Sequence, residues 1–306
     1  MAERGKTKVT VLIPTYDRPD VLKQTLPFWL FSDQISKVIV TAEASTDHKA
    51  RLYENVLGKY SATHGEKLFY RVSVGRSGSV KSRNELLSLA LKFAESEFIL
   101  LADDDYILPK ESKISIALNY FRIKDIGAVG GRVVMLGKRA IDPDFFLNLP
   151  MNLADILTDI TGYIFLDVSH GPRIAKYLPP FFIIRKELIK YGLMYDVRFD
   201  TPTSFREESD FQRQIRELGY KLVFDPRIYV YHIAVEEGGN RKLMDPRERF
   251  YWKARNHTIF LLKWNSSLLK RIQYQLFLIF LLGIYRPQYF RYVLKGIKDA
   301  IHLSKV

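Results

Sequence analysis

The sequence predicts an α/β protein with a mostly parallel β-sheet covered by helices on both faces. Short apolar runs alternate with helical segments through the first third of the chain, a pattern typical of such sheets. The predicted strands of this part are residues 8–14, 37–42, 68–74 and 97–102. The predicted helices that follow the first and third strands are residues 20–31 and 81–93. Ligands of such sheets bind at the carboxyl ends of the strands.

The second half of the chain is less regular but continues the mixed pattern. Residues 128–135, 180–185 and 221–225 are predicted strands, and residues 204–220 a helix. Phe211, Ile215 and Leu218 give this helix an apolar stripe at helical spacing, and Gly219 is a plausible stop. After Asp245 the pattern becomes helical and rich in arginine and aromatic residues. No internal repeat or low-complexity linker interrupts it.

Length and composition limit the classes of protein that the chain can represent. Its 306 residues, 47% of them hydrophobic, suffice for one large domain or two small ones. The sequence has no cysteine, which excludes disulfides and thiolate metal sites. The first residues, MAERGKTKVTVLIP, contain no long apolar run and no small-residue cleavage site, so a cytoplasmic location is expected.

Three successive carboxylates, Asp103, Asp104 and Asp105, follow the fourth apolar run directly in FILLADDDYILP. They repel one another, and a bound divalent cation would offset that cost. In an extended segment Asp103 and Asp105 would point to one side and could hold Mg²⁺ or Mn²⁺, with Asp104 turned away. The alternative is a solvated acidic turn. The sequence has neither a Walker A loop nor a glycine fingerprint after the first strand, which disfavours a P-loop ATPase or a dinucleotide enzyme.

Several motifs follow one another along the chain, beginning with VTVLIPTYDRPDVLKQTL, VIVTAEASTD and the run that ends in ADDDYILP. In this order they resemble family 2 of the inverting glycosyltransferases, which have the GT-A fold. The first is similar to the family's first strand and helix, and the second to the segment usually written VVDDGSTD. VGRSGSVKSRNELLSLALKFAESEFILLADDDYILP resembles the run from an asparagine–glycine turn through ARN to the D-x-D motif. PPFFIIRKELIKYGLMYD is similar to the acceptor-side strand and helix, REESDFQRQIRELGY to EDVDLSLRLRRAGY, and YVYH to a strand that ends in a histidine.

The resemblance implies a GT-A catalytic domain with a Rossmann-like sheet over residues 1–240. Its nucleotide-sugar half would span residues 1–107 and its acceptor half residues 108–240, followed by a helical C-terminal region of residues 241–306. Glu43 takes the base-contacting position where the family more often has Asp, so the base stays open between uracil and guanine. The residues implied to bind the nucleotide sugar are Pro14, Thr15, Tyr16, Arg18, Glu43, Lys81, Arg83, Asp103, Asp104 and Arg241.

The resemblance also implies a metal site and a catalytic base. Asp103, Asp105 and His232 take the positions of the metal ligands, although a lone histidine at a strand end is more often structural. Glu208 takes the position of the catalytic carboxylate that deprotonates the acceptor hydroxyl, and Asp210 is the fallback. A carboxylate at a helix N-terminus is the alternative interpretation of Glu208. Gln214 stands where the family usually has Arg, which predicts that a local ion pair is missing. Residues 236–242, which include Arg241, suggest a lid over the diphosphate.

The C-terminal region carries most of the excess positive charge. Residues 241–306 contain 14 Lys and Arg against three carboxylates, in a chain of formal net charge +13. Residues 272–285, IQYQLFLIFLLGIY, form an uncharged stretch of 14 residues, shorter than the ~20 needed for a transmembrane helix. Basic and aromatic residues flank it, as expected of an interfacial helix pair on an anionic leaflet. The alternative is a buried helix under the sheet. No nucleic-acid module is recognisable there, so no nucleic-acid partner is expected.

The resemblance implies a metal-dependent enzyme that moves a sugar from a nucleotide-diphosphate donor, GDP-mannose or a UDP-sugar, to a lipid-linked or glycan acceptor, and the basic, aromatic C-terminal region favours a lipid-linked one. The cofactor would be Mn²⁺ or Mg²⁺, and the expected location is the cytoplasmic face of the cell membrane. One alternative is a non-catalytic nucleotide-binding protein of the membrane surface. A nucleotidyltransferase is the other alternative, but PTYDRPD is not the glycine-rich basic loop that such enzymes carry after the first strand.

Overall fold

The predicted parallel strands form one half of a single mixed sheet in the computed structural model. The structure describes residues 8–136, 153–164, 171–233, 235, 245–284 and 286–303. The sheet formed by these residues runs in the order β3-β2-β1-β4-β8-β6-β9-β5, with β7 paired to β9. Its strands are β1 (Val9–Tyr16), β2 (Ile35–Ala44), β3 (Leu68–Val74), β4 (Phe98–Leu101), β5 (Tyr106–Ile107), β6 (Ile126–Leu136), β7 (Arg173–Ala175), β8 (Phe182–Arg185) and β9 (Lys221–Ile233).

The direction of the strands divides the sheet into two parts. Strands β3, β2, β1 and β4 are parallel, as the sequence predicts. Strand β8 is antiparallel to both β4 and β6, and β6 is parallel to β9. The carboxyl ends of β1, β2 and β4 therefore meet at one edge of the sheet, which is where ligands of such sheets bind.

Strand β1 shows why the middle of a predicted strand is continuously apolar. Val11 and Ile13 belong to the core on one face of the sheet, and Leu12 belongs to the core on the other. Side chains of a strand point alternately to opposite faces, so a strand covered on both sides is largely apolar at successive positions. The two cores confirm the predicted layered α/β architecture.

The described helices are distributed over both faces of the sheet and over the C-terminal region. Helices α1, α2 and α3 connect the parallel strands, and α7 precedes β9. The helices are α1 (Pro19–Leu30), α2 (Asp47–His64), α3 (Ser79–Phe93), α4 (Ile114–Tyr120), α5 (Leu153–Thr161), α6 (Lys186–Lys190), α7 (Glu207–Glu217), α8 (Pro246–Trp264), α9 (Leu268–Leu278) and α10 (Phe290–Leu303).

The first of the C-terminal helices packs into one of the two hydrophobic cores of the sheet. Ile259 and Phe260 of α8 share a hydrophobic cluster with Phe182 and Phe211. The predicted boundary at residue 240 precedes this helix, so the packing extends beyond it. After α9, residues Ile279–Ile284 continue as one π-helical turn. Along α9 and this turn, Tyr274 and Leu278 are buried whereas Leu276 and Phe280 are exposed. The two together are therefore amphipathic and are not buried on all sides.

The length and hydropathy of the helices bear on whether the chain could cross a bilayer. Within the described part of the chain, no helix is by itself both long and apolar enough to cross a membrane. The segments Leu268–Ile284 and Pro287–Leu303 together meet the length and composition requirements, but they are bent by 112° to one another.

Candidate active site

A pocket of about 460 Å³ opens at the carboxyl ends of β1, β2 and β4. Most of the residues implied to bind a nucleotide sugar line it, although they come from distant parts of the sequence. The predicted residues that the structure brings together here are Pro14, Thr15, Tyr16, Arg18, Glu43, Arg83, Asp103, Asp104, Asp105, Glu208 and His232. Lys81 is exposed on α3 and does not line the pocket. Arg241 and residues 236–242 lie outside the described residues.

One side of the pocket, formed by the ends of β1 and β2, combines an aromatic ring with a carboxylate. Glu43 is buried at the end of β2, where its carboxylate accepts hydrogen bonds from the hydroxyl and the backbone N–H of Ser77, the latter at 3.0 Å. The guanidinium of Arg76 lies 5.3 Å from the centre of the Tyr16 ring. A flat ring beside a carboxylate suits a nucleobase, which offers a stacking face and N–H donors at its edge.

The three aspartates lie in a turn after β4, and the extended geometry predicted for them is wrong. The backbone N–H of Tyr106 donates to the carbonyl of Asp103 at 3.4 Å, which closes the turn. Side chains in such a turn do not alternate between two faces. Asp104 is consequently not turned away, and its side chain lines the pocket together with Asp103 and Asp105.

Asp104 is held by two side chains at the end of β1. Its carboxylate accepts hydrogen bonds from the Thr15 hydroxyl at 2.6 Å and from Arg18 Nη1 at 3.2 Å. The Thr15 hydroxyl lies 2.8 Å from that of Tyr53, a residue of α2. Burial and the neighbouring Asp105 raise the pKa of Asp104, and Arg18 opposes them. Asp104 therefore ties the end of β1 to the aspartate turn.

Asp105 connects this turn to the opposite strand β9. Its Oδ2 atom lies 3.0 Å from Nε2 of His232 and 3.1 Å from Nη1 of Arg18. Strand β5 pairs Tyr106 directly with His232 on β9, which fixes the histidine beside the aspartates. Nδ1 of His232 lies 2.7 Å from the sulfur of Met135. His232 thus faces the pocket, as the resemblance implies.

Two features bear on whether these residues suit a divalent cation. The first is their chemistry, because the two carboxylates of Asp103 and Asp105 and the imidazole nitrogen of His232 are ligands that Mn²⁺ can bind. In their arrangement, no group of three or more His, Asp or Glu side chains within the described ranges is already gathered around a common point. Asp103 is paired with Arg83, while Asp105 and His232 contact each other. The donor set fits such an ion, and binding would require it to displace at least the guanidinium contacts.

Arg83 bridges the aspartate turn and the candidate base. Its Nη2 atom lies 2.6 Å from Oδ1 of Asp103 and 3.4 Å from Oε1 of Glu208, and its guanidinium lies 5.7 Å from the centre of the Tyr195 ring. The side-chain amide of Asn84 holds the backbone of Tyr195 through two hydrogen bonds of 2.8 Å. Arg83 therefore points into the pocket and is not a helix-surface arginine.

Helix α7 begins at the pocket with two consecutive glutamates. Arg206, which precedes it, has a left-handed backbone with φ of 79° and donates from Nε to Nδ1 of His257 at 3.0 Å. Glu207 and Glu208 occupy the first turn, where the helix dipole favours carboxylates. Burial raises the pKa of both side chains, and Arg83 opposes the increase at Glu208. Glu208 is the more exposed of the two and reaches Arg83.

Asp210 lies outside the pocket, on the far side of the first turn of α7. It is completely buried and accepts hydrogen bonds from Nε1 of Trp264 at 2.7 Å and from Nζ of Lys263 at 2.9 Å. The structure does not bring this fallback base together with the other site residues. Gln214 also donates to Asp210, at 3.0 Å. Gln214 therefore makes a hydrogen bond and no ion pair at this position, and Lys263 of α8 supplies the cation that pairs with Asp210.

Sequence reasoning missed several pocket residues that the structure supplies. Arg76 and Ser77 belong to the quoted VGRSGSV motif, yet their spacing gave no indication that they would meet Tyr16 and Glu43. Glu207 is fully buried and lines the pocket, although the family pattern does not mark it as a site residue. Its position next to Glu208, the predicted base, is the one feature of the sequence that could have indicated it.

Comparison with solved structures identifies the fold. The mannosyltransferase PcManGT from Pyrobaculum calidifontis, solved in complex with GDP-Man and Mn²⁺, matches with a TM-score of 0.57 at 16% identity, over 96% of this chain and 75% of that one. TarS from S. aureus (residues 1–349), solved in complex with UDP, matches with a TM-score of 0.52 at 17% identity, over 88% and 69% of the two chains. The architecture of this chain is accordingly the GT-A fold of nucleotide-sugar-dependent transferases.

Comparison of sequences assigns the family. The sequence profile described as Glycosyltransferase like family 2 matches residues 6–249, which is most of the chain. The chain therefore belongs to glycosyltransferase-like family 2. It is also 27% identical over 123 residues to the NDP-glycosyltransferase ltbB of Aspergillus luteorubrus. That match covers 40% of this chain and only 28% of the length of ltbB.

Proposed function

We propose that this protein is a metal-dependent, inverting glycosyltransferase that moves a sugar from a nucleoside-diphosphate donor to a hydroxyl of a lipid-linked or glycan acceptor. The observation that carries the proposal is the convergence at Arg83. This one cation contacts Asp103 of the aspartate turn and Glu208 of helix α7 inside a single pocket. The Arg83 guanidinium, a group suited to bind a diphosphate, thus lies between a candidate metal ligand and a candidate base.

The donor would lie with its base between Tyr16 and Glu43 and its diphosphate towards Arg83 and the aspartates. The Glu43 carboxylate can accept N–H donors from the edge of either uracil or guanine. PcManGT was solved with GDP-Man and TarS with UDP, so relatives of the same fold bind both kinds of nucleotide. The donor is therefore proposed to be GDP-mannose or a UDP-sugar.

Glu208 is proposed as the general base. Its carboxylate takes the proton of the acceptor hydroxyl while the hydroxyl oxygen attacks the anomeric carbon. The bond from that carbon to the diphosphate oxygen breaks on the opposite face, which inverts the configuration and releases the nucleoside diphosphate. Burial raises the pKa of Glu208, which makes its carboxylate a stronger base, and the contact with Arg83 opposes this increase.

Asp103, Asp105 and His232 are the residues that would hold a Mn²⁺ or Mg²⁺ ion. A bound divalent cation would neutralise the charge of the departing diphosphate. The Mn²⁺ in the PcManGT complex supports this assignment by analogy.

The test is a donor panel with the full chain and Mn²⁺, in which release of nucleoside diphosphate and transfer to added acceptors are measured separately. Glu208→Gln should retain donor affinity and reduce transfer by about 10²–10⁴-fold, the usual contribution of a general base. Glu217→Gln is the matched control, because it makes the same change on the exposed end of α7. Wild-type transfer by Glu208→Gln would refute the base assignment. Donor binding without turnover in the wild-type chain would favour the non-catalytic alternative.

A further inference from the structure

Two helices that are distant in sequence each expose a stripe of large aliphatic side chains. On α5 the stripe residues are spaced by three and four positions, and on α9 and its π-helical extension the same spacing recurs, so each set lies on one helix face. All are about half exposed or more, up to 80% for Leu269. We call these residues the apolar ridge: Leu153, Ile156, Ile160, Leu269, Ile272, Leu276 and Phe280.

Hydrogen bonds between α5 and α9 hold the two stripes beside one another. Nε2 of Gln273, next to Ile272, donates to the backbone carbonyl of Ile160 at 2.7 Å. The Tyr274 hydroxyl donates to the carbonyl of Asp159 at 2.9 Å. Gly162 has a φ of 68° and lies so close to the Tyr274 ring that a Cβ atom would overlap it. The ridge is thus one continuous surface, built from segments more than a hundred residues apart.

Helix α10 adds an amphipathic surface with cations. Phe290, Leu294 and Ile301 are exposed on one side of it. Lys295 and Lys298 are exposed on the adjoining side, as helical spacing requires. From Leu268 to the last residue the sequence has seven Lys and Arg and a single carboxylate, Asp299. That carboxylate accepts a hydrogen bond from the Tyr251 hydroxyl, so it is engaged within the protein.

We propose that the apolar ridge and the exposed side of α10 form a surface that binds the headgroup region of an anionic lipid bilayer. Exposed aliphatic side chains next to cations match that region, where apolar groups enter the acyl boundary and cations remain among lipid phosphates. The 112° bend between the two C-terminal segments suits helices that lie on a leaflet. An interface with another protein would be expected to show the aromatic and arginine side chains of a binding hot spot, whereas the ridge is almost entirely aliphatic.

This inference goes beyond the proposed function, because it concerns where the protein acts and not the reaction. The site that would bind the donor lies at the carboxyl ends of β1, β2 and β4, and the residues of the ridge do not line that pocket. Membrane binding and donor binding can therefore be lost separately.

The experiment is cosedimentation of the full chain with vesicles of phosphatidylglycerol and phosphatidylcholine, and with vesicles of phosphatidylcholine alone. Binding is expected to the anionic vesicles and to weaken with salt. Ile272→Ser combined with Leu276→Ser should weaken it by at least about tenfold, since two aliphatic side chains no longer enter the bilayer. The matched control combines Leu91→Ser with Ile123→Ser, exposed apolar residues on α3 and after α4. Leu269→Ser is the variant least able to disturb folding, because its side chain is 80% exposed.

The cations are tested by Lys295→Gln combined with Lys298→Gln. Each lost cation should weaken binding by about fivefold at low salt, and Lys92→Gln with Lys124→Gln should leave it unchanged. Calorimetric binding of GDP and UDP with Mn²⁺ should be the same in all variants. Wild-type vesicle binding by both ridge variants would overturn the proposal. The proposal would also be overturned if the wild-type chain did not bind vesicles and instead formed a dimer in light scattering. In that case Leu269→Ser would dissociate the dimer.

Discussion

Nζ of Lys263, near the end of α8, lies 2.8 Å from Oδ1 of Asp210, in the first turn of α7. Asp210 is completely buried, and its neighbours Trp264 and Gln214 also donate to it. The pair fixes the C-terminal helix α8 against the helix that carries Glu208. The contacts of Asp210 are therefore those of a residue that stabilises the fold, although it lies only two residues from the candidate base.

The first prediction separates the roles of these two carboxylates. Asp210→Asn should lower the free energy of unfolding by about 2 kcal/mol, because Lys263 loses one of its two carboxylate partners and keeps Asp196 at 2.8 Å. The folded fraction should still transfer sugar. Thermal unfolding and transfer per folded molecule measure the two effects. An Asp210→Asn enzyme that is as stable as the wild type but inactive would exchange the roles of Asp210 and Glu208.

The second prediction concerns the planar guanidinium of Arg83. Its Nη2 atom alone reaches both Asp103 and Glu208, and the flat guanidinium beside the Tyr195 ring sets the position of that atom. Lysine carries its charge as a point on a flexible stem and has no planar group to pack there. Arg83→Lys should reduce kcat/KM by about 10–100-fold, the effect of losing one hydrogen bond to a charged group. Arg71→Lys is the matched control, because Arg71 pairs with Glu85 at the surface. Steady-state kinetics with the preferred donor would decide, and an unchanged kcat/KM would contradict the bridging role.

The third prediction concerns the metal. Asp105→Asn removes a charged oxygen ligand while keeping the size of the side chain, so Mn²⁺ should no longer strengthen binding of the nucleoside diphosphate. Asp125→Asn, a surface substitution, should leave the Mn²⁺ dependence intact. Calorimetry with GDP and UDP, each with and without Mn²⁺, measures this. Retained Mn²⁺ dependence in Asp105→Asn would remove Asp105 from the ligand set.

The fourth prediction links Glu207 to pH. Burial holds the pKa of this carboxyl well above its usual value in the folded state, so the folded chain binds a proton that the unfolded chain has already lost. Stability from this group is present below the unfolded pKa, about 4.3, and is lost as pH rises towards the folded pKa. Glu207→Gln, which stays neutral, should flatten the fall in melting temperature between pH 5 and 8, a window that begins about one unit above the unfolded pKa. An identical pH profile would show that Glu207 is charged when folded.

The parallel half of the sheet could be predicted because its strands are buried on both faces. Val11, Leu12 and Ile13 leave no room for a polar position, and such a run is visible in a single sequence. Helix α2 was not identified, since only Tyr53 and Leu57 of its residues are buried and its apolar stripe is narrow. Tyr53 nevertheless holds Thr15 in the site.

The site was predicted less completely, for two physical reasons. The first concerns the turn at the aspartates. An apolar run followed by three carboxylates does not indicate whether the backbone stays extended or turns after the strand. Partners such as Lys263 and Asp210 are 53 residues apart and meet only through the packing of α8. The family pattern placed Glu208 but could not indicate that a C-terminal lysine replaces the arginine expected at Gln214.

The junction between α8 and α9 is short and closed. Only residues 265–267 separate the helices, and Arg271 of α9 donates to the carbonyls of Asn265 and Leu262 at 2.5 and 3.3 Å. Helix α9 of the ridge is consequently tied to α8, and α8 is tied to the helix bearing Glu208 through Lys263 and Asp210. If the ridge lies on a bilayer as proposed, these connections would set the height of the candidate base above the lipid. Acceptors would then be selected by how far their hydroxyl stands from its membrane anchor, as well as by the identity of the sugar that bears it.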